Sequence, residues 1–395
     1  MSFTPRWYQA EATDKAVQFL RTTKGQNVLV VLPTGSGKSV VIASIIKELN
    51  TPTLVFQPSK EILAQNAAKY RAYGYGCGIY SASAGEKRLQ DVTFATIGSV
   101  VKKKHLLERF KYVLVDECHL VRAEGGMYEE VIGHMGVPVL GLTATPYRLA
   151  QGTNPHTFQR YSVLKFLTRT RPRIFDRVVY HIQNRVLFDE GYLAKLEYYS
   201  VKVINRNALQ RNSTGADYTD ESLRQQYAMN DLPGKVVKVV RRLFEIGRKN
   251  VLVFTRFTDE ARFVASQIPG AAIVTAETPP KERDRIIRGF RDGWIKCVCN
   301  VGILTTGFDY PQLEAVVMAR PTMSLALWYQ IVGRGIRPNP EKSHTMIVDM
   351  GGNMEVFGKV EDLTMSEHGG WHIHGVDGRP LTGVPFGERF VPSRA

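Results

Sequence analysis

The chain contains 395 residues, of which 44% are apolar and 23% are charged, a composition typical of soluble globular proteins. This length exceeds what one ordinary hydrophobic core supports, so we expect about two domains and a tail. The formal charge of +15 indicates an acidic partner, most often nucleic acid, unless it reflects only a generally basic surface.

The sequence argues against a membrane protein and against a small protein held together by disulfides. No apolar run is long enough to span a membrane, and the N-terminal residues 1–6 lack a secretory core, so we expect a cytoplasmic protein without a membrane partner. The four cysteines form no paired zinc motif and are too few for a disulfide scaffold, so we also expect no zinc. Cys297 and Cys299 lie two apart on a predicted strand and are expected to be core residues.

A helix is predicted from Trp7 towards Leu20, with Arg6 and Gln9 at its start. A glutamine side chain offers a donor and an acceptor that match the edge of adenine, and an arginine can stack on the base. The alternative is that Gln9 is a solvated helix residue. Its position just ahead of the next motif favours the base-binding interpretation.

A glycine-rich turn follows the apolar run Val28–Val31 and precedes a predicted helix that ends near Leu49. Such a turn directs backbone N–H groups and the positive end of the helix dipole at one point, which suits a triphosphate. Lys38 can reach the outer phosphates, and the Ser39 hydroxyl can ligate magnesium. Leu32 stands where the pattern normally has glycine. The predicted ATP-binding residues of the turn are Thr34, Gly35, Ser36, Gly37, Lys38 and Ser39.

Two further predicted strands end in small polar residues. Pro58, Ser59 and Lys60 follow the strand at Thr53–Phe56, and Thr96 follows the strand that contains Phe94. Hydroxyl groups and helix starts at strand ends can contact the phosphate backbone of nucleic acid. The same residues are also ordinary helix caps, so the pattern alone leaves both interpretations open.

A short apolar strand, Tyr112–Val115, ends in Asp116 and Glu117. An acid at the carboxyl end of a parallel strand beside the phosphate-binding strand can hold magnesium, and the next carboxylate can orient the attacking water. We therefore predict that Asp116 is a metal ligand and that Glu117 is the general base.

The apolar pattern loosens between residues 150 and 196, where basic and aromatic side chains alternate. This composition suits a strand of nucleic acid, because cations neutralise phosphates and rings stack on bases. The alternative is a solvated linker whose aromatic residues pack onto the first domain. The aromatic residues concerned are Phe158, Tyr161, Phe166, Phe175 and Tyr180.

The second half alternates predicted strands and helices again, after a polar stretch at 205–231 without clear periodicity. Strands are predicted at 251–254, 272–274 and 296–299, and helices at 235–244 and 281–290. This alternation predicts a second doubly wound parallel sheet. Because it contains no second glycine-rich phosphate turn, we expect it to supply a partner surface to the first site.

Two arginines near the end of this region, Arg334 and Arg337, follow a glycine and lie three residues apart. On one helical face they could point towards a triphosphate, where an arginine stabilises the charge that develops on the phosphate. The alternative is a solvated helix end.

The order of these segments resembles the motor of superfamily 2 helicases, from Arg6 to Arg337. The resemblance rests on the segments LPTGSGKS, QPSKEIL, DECH, LTATPYR, TRF, NVGILTTGFDYP and QIVGRGIR. It implies that ATP hydrolysis is coupled to movement on nucleic acid and that Thr143 and Thr145 link the two sites. It also implies that Gly307 and Asp309 contact nucleotide, and that the catalytic set includes Gln330, Arg334 and Arg337.

The resemblance assigns nucleic-acid contacts in the second half to Thr255, Arg256 and Thr305. The combination of DECH with LTTGFD and GRGIR looks most like the RadD-like and type III restriction-type branch, which is usually associated with DNA. A phage-encoded or stand-alone helicase fits this resemblance equally well.

We therefore predict an α/β fold of two tandem RecA-like doubly wound parallel-sheet domains, at 1–190 and 191–350, with a short C-terminal tail at 351–395. The predicted function is an ATP-dependent helicase that uses ATP and Mg²⁺ and acts on DNA. A duplex translocase without unwinding, an RNA helicase and a nucleotide-gated nucleic-acid clamp are the alternatives. Other replication or repair proteins are possible partners.

Overall fold

A computed structural model describes residues 4–23, 25–122, 124–153, 160–305 and 307–385. The chain forms two compact units. Unit 1 comprises Met1–Ala150, Leu164–Gln183 and Met365–His372, and unit 2 comprises Gln151–Val163, Asn184–Thr364 and Ile373–Ala395. The predicted domain limits near 190 and 350 stay predictions, and residues 386–395 of the predicted tail lie outside the described residues.

The helices and strands alternate along the chain, as the sequence predicts. The first part contains α1 (Trp7–Thr22), β1 (Val28–Val31), α2 (Lys38–Leu49), β2 (Thr53–Phe56), α3 (Lys60–Ala72), β3 (Gly78–Ser81), β4 (Glu86–Lys87), β5 (Val92–Ala95), α4 (Ile97–Val100), β6 (Tyr112–Asp116), α5 (Met127–Met135), β7 (Val139–Thr143), β8 (Tyr147–Thr153), β9 (Arg160–Phe166) and β10 (Arg177–His181).

The remainder begins with a short helix and ends with a two-stranded pair. It contains α6 (Asn184–Asp189), β11 (Lys195–Ser200), α7 (Asp220–Met229), α8 (Leu232–Glu245), β12 (Val251–Phe254), α9 (Thr258–Ser266), β13 (Ala271–Val274), α10 (Pro280–Arg291), β14 (Cys297–Asn300), β15 (Ala315–Met318), α11 (Leu325–Val332), β16 (His344–Asp349), α12 (Asn353–Phe357), β17 (Thr364–Glu367) and β18 (Trp371–His374).

The sheet of unit 1 has eight strands in the order β10-β1-β7-β6-β2-β5-β3-β4. Its pairings are parallel except that β4 lies antiparallel to β3. Every residue of β1, β2 and β7 is buried, as expected for parallel strands that are covered on both faces. The parallel strands end at one edge of the sheet, so the segments that follow β1, β2, β6 and β7 meet there.

The basic and aromatic connection contributes the strand β10, which pairs in parallel with β1. Phe166, Phe175 and Tyr180 are at most 5% exposed. Of the two interpretations of these aromatic residues, the structure shows packing onto unit 1 for these three rings. Because the rings are buried, they cannot stack on bases in this state. Phe158 and the side chain of Arg160 lie outside the described residues.

A C-terminal segment, Met365–His372, also packs within unit 1. The Gln183 side chain donates to the Met365 carbonyl at 2.7 Å and accepts from the Met365 amide at 3.0 Å. The Trp371 ring stacks on Phe166, with 6.1 Å between the ring centroids, and meets His181 edge-on, with 4.9 Å between the centroids. The tail sequence therefore completes the packing around β10.

The sheet of unit 2 has six strands in the order β11-β16-β15-β12-β14-β13, all paired in parallel. The prediction of two parallel α/β sheets is therefore confirmed. Cys297 and Cys299 are fully buried on β14, so their expected place in the core is also confirmed. Among the residues that the structure describes, no helix is long and apolar enough to cross a membrane.

One helix of unit 2, α7, lies in the polar stretch where the sequence predicts no element. The Thr219 side chain accepts from the Ser222 amide and caps its first turn. Leu223 and Tyr227, four residues apart, are buried. These two large apolar side chains stabilise the helix through tertiary packing. A single apolar pair is too sparse a pattern to predict the helix from the sequence.

Candidate active site

The glycine-rich loop of unit 1 joins β1 to α2 and is supported by α1. Gly35 and Gly37 have φ angles of 85° and 83°, a conformation that favours glycine. The Ser36 carbonyl accepts hydrogen bonds from the Tyr8 hydroxyl at 2.8 Å and from the Gln9 amide at 2.7 Å. A Cβ on Gly37 would lie 2.5 Å from Gln9 Nε2, so the loop and α1 pack closely at this point. Contacts within unit 1 therefore fix the shape of the loop.

Arg6 and Gln9, the residues predicted to bind the base, contact one another at the start of α1. The Gln9 side chain is buried, and its Oε1 accepts from the Arg6 backbone N–H at 2.9 Å. The Arg6 guanidinium donates to the Tyr8 hydroxyl at 3.3 Å. Gln9 thus links the helix start to the loop, a structural role that the sequence pattern did not reveal, while its contact with adenine stays a prediction.

Lys38 and Glu117, the predicted phosphate-binding cation and general base, face each other. Lys38 Nζ lies 3.5 Å from Glu117 Oε1, with side-chain exposures of 12% and 23%. Ser39 follows Lys38 in the first turn of α2, and Thr34 is buried in the loop. The structure therefore brings together residues that are far apart in the sequence, because β1 and β6 both neighbour β7 in the sheet.

Asp116, the predicted metal ligand, is the last residue of β6 and is only 5% exposed. Its Oδ1 accepts from the Glu117 backbone N–H at 3.0 Å, and its Oδ2 accepts from Asn66 Nδ2 at 3.1 Å. Asn66 also donates to Gln57 Oε1 at 3.0 Å. Asn66 of α3 therefore orients the Asp116 carboxylate, a contact for which the sequence gives no spacing signal.

Glu117 has a backbone conformation that is unusual for a residue other than glycine. Its φ angle is 49°, in the left-handed region that costs free energy for L-residues with a Cβ. The turn redirects the chain directly after β6, so the Glu117 side chain reaches Lys38 on one side and His119 Nδ1 on the other, at 3.4 Å. The strained turn thus places the carboxylate between two nitrogen groups.

The two adjacent carboxyl groups differ in their affinity for a proton. Burial raises the pKa of Asp116, and the negative charge of Glu117 raises it further. Burial also acts to raise the pKa of Glu117, but the charge of Lys38 and the hydrogen bond from His119 together outweigh it, so the pKa is lowered. Glu117 therefore carries the negative charge of the pair, as a general base requires. A cation beside Asp116 would favour its ionised form as well.

Thr143 and Thr145 connect the end of β7 to the same region. The Thr143 Oγ1 lies 3.0 Å from His119 Nδ1 and accepts from the Thr145 backbone N–H at 3.0 Å. The Leu32 backbone N–H at the start of the glycine-rich loop donates to the Thr143 carbonyl at 3.0 Å. These bonds join the loop, the carboxylates and the threonine segment into one network.

The predicted nucleic-acid contacts of unit 1 follow the neighbouring strands β2 and β5, so they lie at the same edge of the sheet. Pro58, Ser59 and Lys60 are half-buried, and Ser59 Oγ accepts from the Ile62 N–H at 3.3 Å as a helix cap. Thr96 Oγ1 lies 3.0 Å from Ser81 Oγ. Capping is thus observed for Ser59, while the contacts of these residues with nucleic acid stay predictions.

The arginines of unit 2 lie beyond the helix on which they were expected. Helix α11 ends at Val332, so the prediction that Arg334 and Arg337 share one helical face is wrong. Gly333 ends the helix, and the amide groups of Arg334 and Gly335 bond to the carbonyls of the last turn. Both arginines therefore project from a turn and the segment after it.

Each of these arginines is held by an acceptor of unit 2. Arg334 is 9% exposed and donates from Nε to the Gln330 carbonyl at 3.1 Å and from Nη1 to the Phe308 carbonyl at 2.5 Å. Arg337 Nε donates to Asp309 Oδ1 at 2.8 Å. The structure thus brings Gln330, Arg334 and Arg337 together with the segment that contains Gly307 and Asp309.

Thr255, Arg256 and Thr305, the predicted nucleic-acid contacts of unit 2, follow the neighbouring strands β12 and β14. Thr255 is 2% exposed, and its hydroxyl donates to the Phe257 carbonyl at 3.2 Å. Thr305 is half-buried and donates to the Gly302 carbonyl at 3.3 Å. Only Arg256 presents a charged group here, and its guanidinium contacts Asp220.

The chain matches two known families. Residues 2–148 match the family described as "Type III restriction enzyme, res subunit", and residues 235–339 match "Helicase conserved C-terminal domain". The "Putative ATP-dependent helicase IRC3" of Saccharomyces cerevisiae is 24% identical, over 89% of this chain and 52% of the relative. The "DNA 3'-5' translocase XPB2" of Sulfurisphaera tokodaii is 26% identical, over 86% of this chain and 80% of the relative.

A solved structure shares the fold. The "ATP-dependent Type ISP restriction-modification enzyme LlaBIII bound to DNA" superposes with a TM-score of 0.63 at 16% identity, covering 88% of this chain and 28% of that one. The chain spans about half the length of the yeast relative. The two matched families, the named relatives and the paired parallel sheets support an ATP-dependent helicase of superfamily 2, in the branch of the type III restriction res subunit.

Proposed function

We propose that the protein is a DNA helicase that couples ATP hydrolysis to movement along DNA and to strand separation. The observation that carries the proposal is the arrangement at the edge of the first sheet, where Lys38 lies 3.5 Å from Glu117 beside the buried Asp116. DNA as the substrate is supported by the names of the archaeal translocase and of the DNA-bound restriction enzyme.

In this proposal the glycine-rich loop binds the triphosphate of ATP through its backbone N–H groups, and Lys38 neutralises the outer phosphates. The donor set also fits magnesium, since the Ser39 hydroxyl and the Asp116 carboxylate are oxygen ligands of the kind that this ion prefers. Bound magnesium would neutralise charge on the phosphate oxygens. Glu117, which is ionised beside Lys38, orients the attacking water and takes up its proton as the water oxygen bonds to the terminal phosphorus and the bond from that phosphorus to the ADP oxygen breaks.

Further roles in the same proposal belong to residues on both units. Arg6 and Gln9 bind the adenine, and Gly307 and Asp309 contact the nucleotide. Gln330, Arg334 and Arg337 support catalysis, the two arginines by stabilising charge on the phosphate during turnover. The segments expected to bind the DNA backbone are 58–60, 96, 255–256 and 305.

The test is the rate of ATP hydrolysis against single-stranded DNA, duplex, forked DNA and RNA at a stated salt concentration, since phosphate contacts depend strongly on ionic strength. We expect DNA to stimulate multiple turnovers. Glu117→Gln should lower kcat about 1,000-fold and retain ATP binding, whereas Lys38→Ala should lose both ATP binding and activity.

The matched controls are Glu130→Gln and Lys104→Ala, because these two residues form an ion pair of 2.6 Å elsewhere in unit 1. Both controls should hydrolyse ATP at the wild-type rate. Full activity of Glu117→Gln or Lys38→Ala would remove the assignment. Stimulation by RNA alone, or by duplex without unwinding of the fork, would favour the corresponding alternative, and a single turnover would favour the clamp.

A further inference from the structure

Two aspartates from the segment before and at the start of α7 surround Arg256. The Asp220 Oδ1 accepts from Arg256 Nε at 3.0 Å and from Nη2 at 2.7 Å. The Asp217 Oδ2 lies 3.8 Å from Arg256 Nη1 and 3.6 Å from Arg320 Nη2. The polar stretch without a predicted role thus supplies the acidic partners of an arginine that is expected to bind nucleic acid.

These two aspartates are anchored very differently. Asp217 has a side chain that is only 23% exposed, and its Oδ1 accepts from the backbone amides of Tyr218 and Met323 at 3.0 and 3.2 Å. It also faces the buried Arg320, which is 8% exposed. Asp217 is therefore a fixed part of the fold, and its Oδ2 lies near the Arg256 guanidinium, at 3.8 Å from Nη1.

Asp220, in contrast, lies at the surface. Its side chain is 61% exposed, and the contact that the structure shows for its carboxylate is the one with Arg256. Exposed ion pairs contribute little free energy, because water solvates both groups when they separate. The Asp220 carboxylate can therefore leave Arg256 at little cost to the fold.

The edge of Arg256 that Asp220 occupies is also the edge that recognises phosphate. The Nε and Nη2 groups of arginine form parallel hydrogen bonds to two oxygens of a phosphate or carboxylate. A carboxylate and a phosphodiester at this position therefore exclude each other. Once Asp220 has moved, the Nε and Nη2 groups of Arg256 are available to a phosphodiester.

We propose that Asp220 competes with the phosphate backbone of nucleic acid for Arg256, so that DNA binds unit 2 by displacing this carboxylate. The inference rests on the proposed function, since it takes DNA as the ligand. It extends that function by naming an internal competitor that lowers the affinity for DNA at this contact.

The experiment measures the affinity of the 395-residue chain for a fluorescently labelled oligothymidylate by anisotropy, over a range of salt concentrations. Removing an exposed ion-pair partner is expected to tighten binding about two- to fivefold in Asp220→Asn. Arg256→Gln should weaken binding and lower the salt dependence by about 0.7 in logarithmic slope, the value for one phosphate of a single strand.

The matched control is Glu282→Gln, because Glu282 forms an exposed ion pair with Arg285 in unit 2 and its neutralisation changes the net charge equally. Its affinity should stay within about 1.5-fold of wild type, since the change is not at a phosphate contact. The double variant Asp220→Asn/Arg256→Gln should bind as Arg256→Gln does. Arg256→Lys, which keeps the charge without the paired donors, serves as a second variant if thermal unfolding shows that the glutamine variant is destabilised.

Three results would overturn the inference: no gain in Asp220→Asn beyond the control, weaker binding in Asp220→Asn, or a gain that persists without Arg256. Weaker binding would mean that Asp220 positions Arg256 rather than competing for it. These results are distinct from failure of the proposed function, which would appear as absence of DNA binding and of DNA-stimulated hydrolysis in the wild-type protein.

Discussion

The two units place charged groups differently at the carboxyl edges of their sheets. In unit 1, the cation Lys38 faces Glu117, the group expected to act in hydrolysis, at 3.5 Å. In unit 2, Arg334 bonds to backbone carbonyls, and Arg337 pairs with Asp309. In unit 1 the cation and the carboxylate that are expected to act in hydrolysis therefore already face each other, whereas in unit 2 each arginine is held by an acceptor of its own unit.

The strongest test of this comparison is Arg337→Ala. If Arg337 acts on the phosphate only during turnover, kcat should fall about 1,000-fold, while the affinity for ATP changes little. Steady-state ATPase kinetics and equilibrium binding of a fluorescent nucleotide measure the two quantities.

The control for this variant is Arg285→Ala, an exposed arginine of the same unit that pairs with Glu282. It should hydrolyse ATP as the wild type does. Equal loss of ATP affinity and of kcat in Arg337→Ala would contradict the comparison, because it would make Arg337 part of the resting binding site.

An intermediate effect is expected for Asn66→Ala in unit 1. Asn66 donates to Asp116 at 3.1 Å and to Gln57 at 3.0 Å, so its loss frees the carboxylate to rotate. Partners of a ligating carboxylate typically contribute about 10- to 100-fold in affinity or activity, and we expect a loss at the lower end. ATPase rates titrated with magnesium should show a higher magnesium requirement.

Asn230→Ala is the matched control. Asn230 is a half-buried asparagine of unit 2 whose side chain also donates a hydrogen bond, in this case to the Gln226 carbonyl. Its magnesium dependence should be that of the wild type. A magnesium dependence unchanged in Asn66→Ala would show that Asp116 does not need this support.

The last prediction concerns the free energy of unfolding, and it compares a buried acid in each of the two units. Glu117 has the charge of Lys38 beside it, whereas Glu260 in unit 2 is 7% exposed and burial raises its pKa to about 7. In the unfolded chain it ionises near 4.5, so folded Glu260 keeps a proton that the unfolded form releases. The free energy of unfolding should therefore fall as the pH rises from about 4.5 to about 7, and it should stay lower above that range.

The variant Glu260→Gln removes this dependence and keeps an acceptor for the Phe257 amide, which bonds to Glu260 at 3.2 Å. Urea unfolding at about pH 8 should show it more stable than wild type by about 1–3 kcal/mol, with the difference vanishing near pH 4. Glu282→Gln, at an exposed position, should show no such trend. Parallel pH profiles of wild type and Glu260→Gln would contradict the raised pKa.

The sequence predicts the parts of the site that depend on local chemistry. The glycine-rich turn and the acids after β6 follow from apolar runs, turn residues and the rule that parallel strands end at one edge. Asn66, Tyr8 and His119 could not be found in this way, because their contacts depend on how α1, α3 and the turn at Glu117 pack in three dimensions.

The same distinction explains the errors in unit 2. The spacing of Arg334 and Arg337 fits a helix, but Gly333 and Gly335 flank Arg334, and the helix stops at Val332. Gly335 is further fixed by Lys342 Nζ and the Thr345 hydroxyl, which both donate to its carbonyl. Spacing in the sequence indicates which residues neighbour each other in a regular element, but not where tertiary contacts end that element.

The packing of Met365–His372 within unit 1 has a practical consequence for dissecting the protein by truncation. A polypeptide that stops at residue 190 would contain the whole phosphate-binding loop yet lack the tryptophan that covers Phe166 and His181. Removing C-terminal residues back past residue 372 would therefore damage unit 1 as well as unit 2, although most of unit 1 precedes unit 2 in the sequence. To isolate unit 1 as a soluble fragment, one would have to splice the segment at 365–372 back onto it.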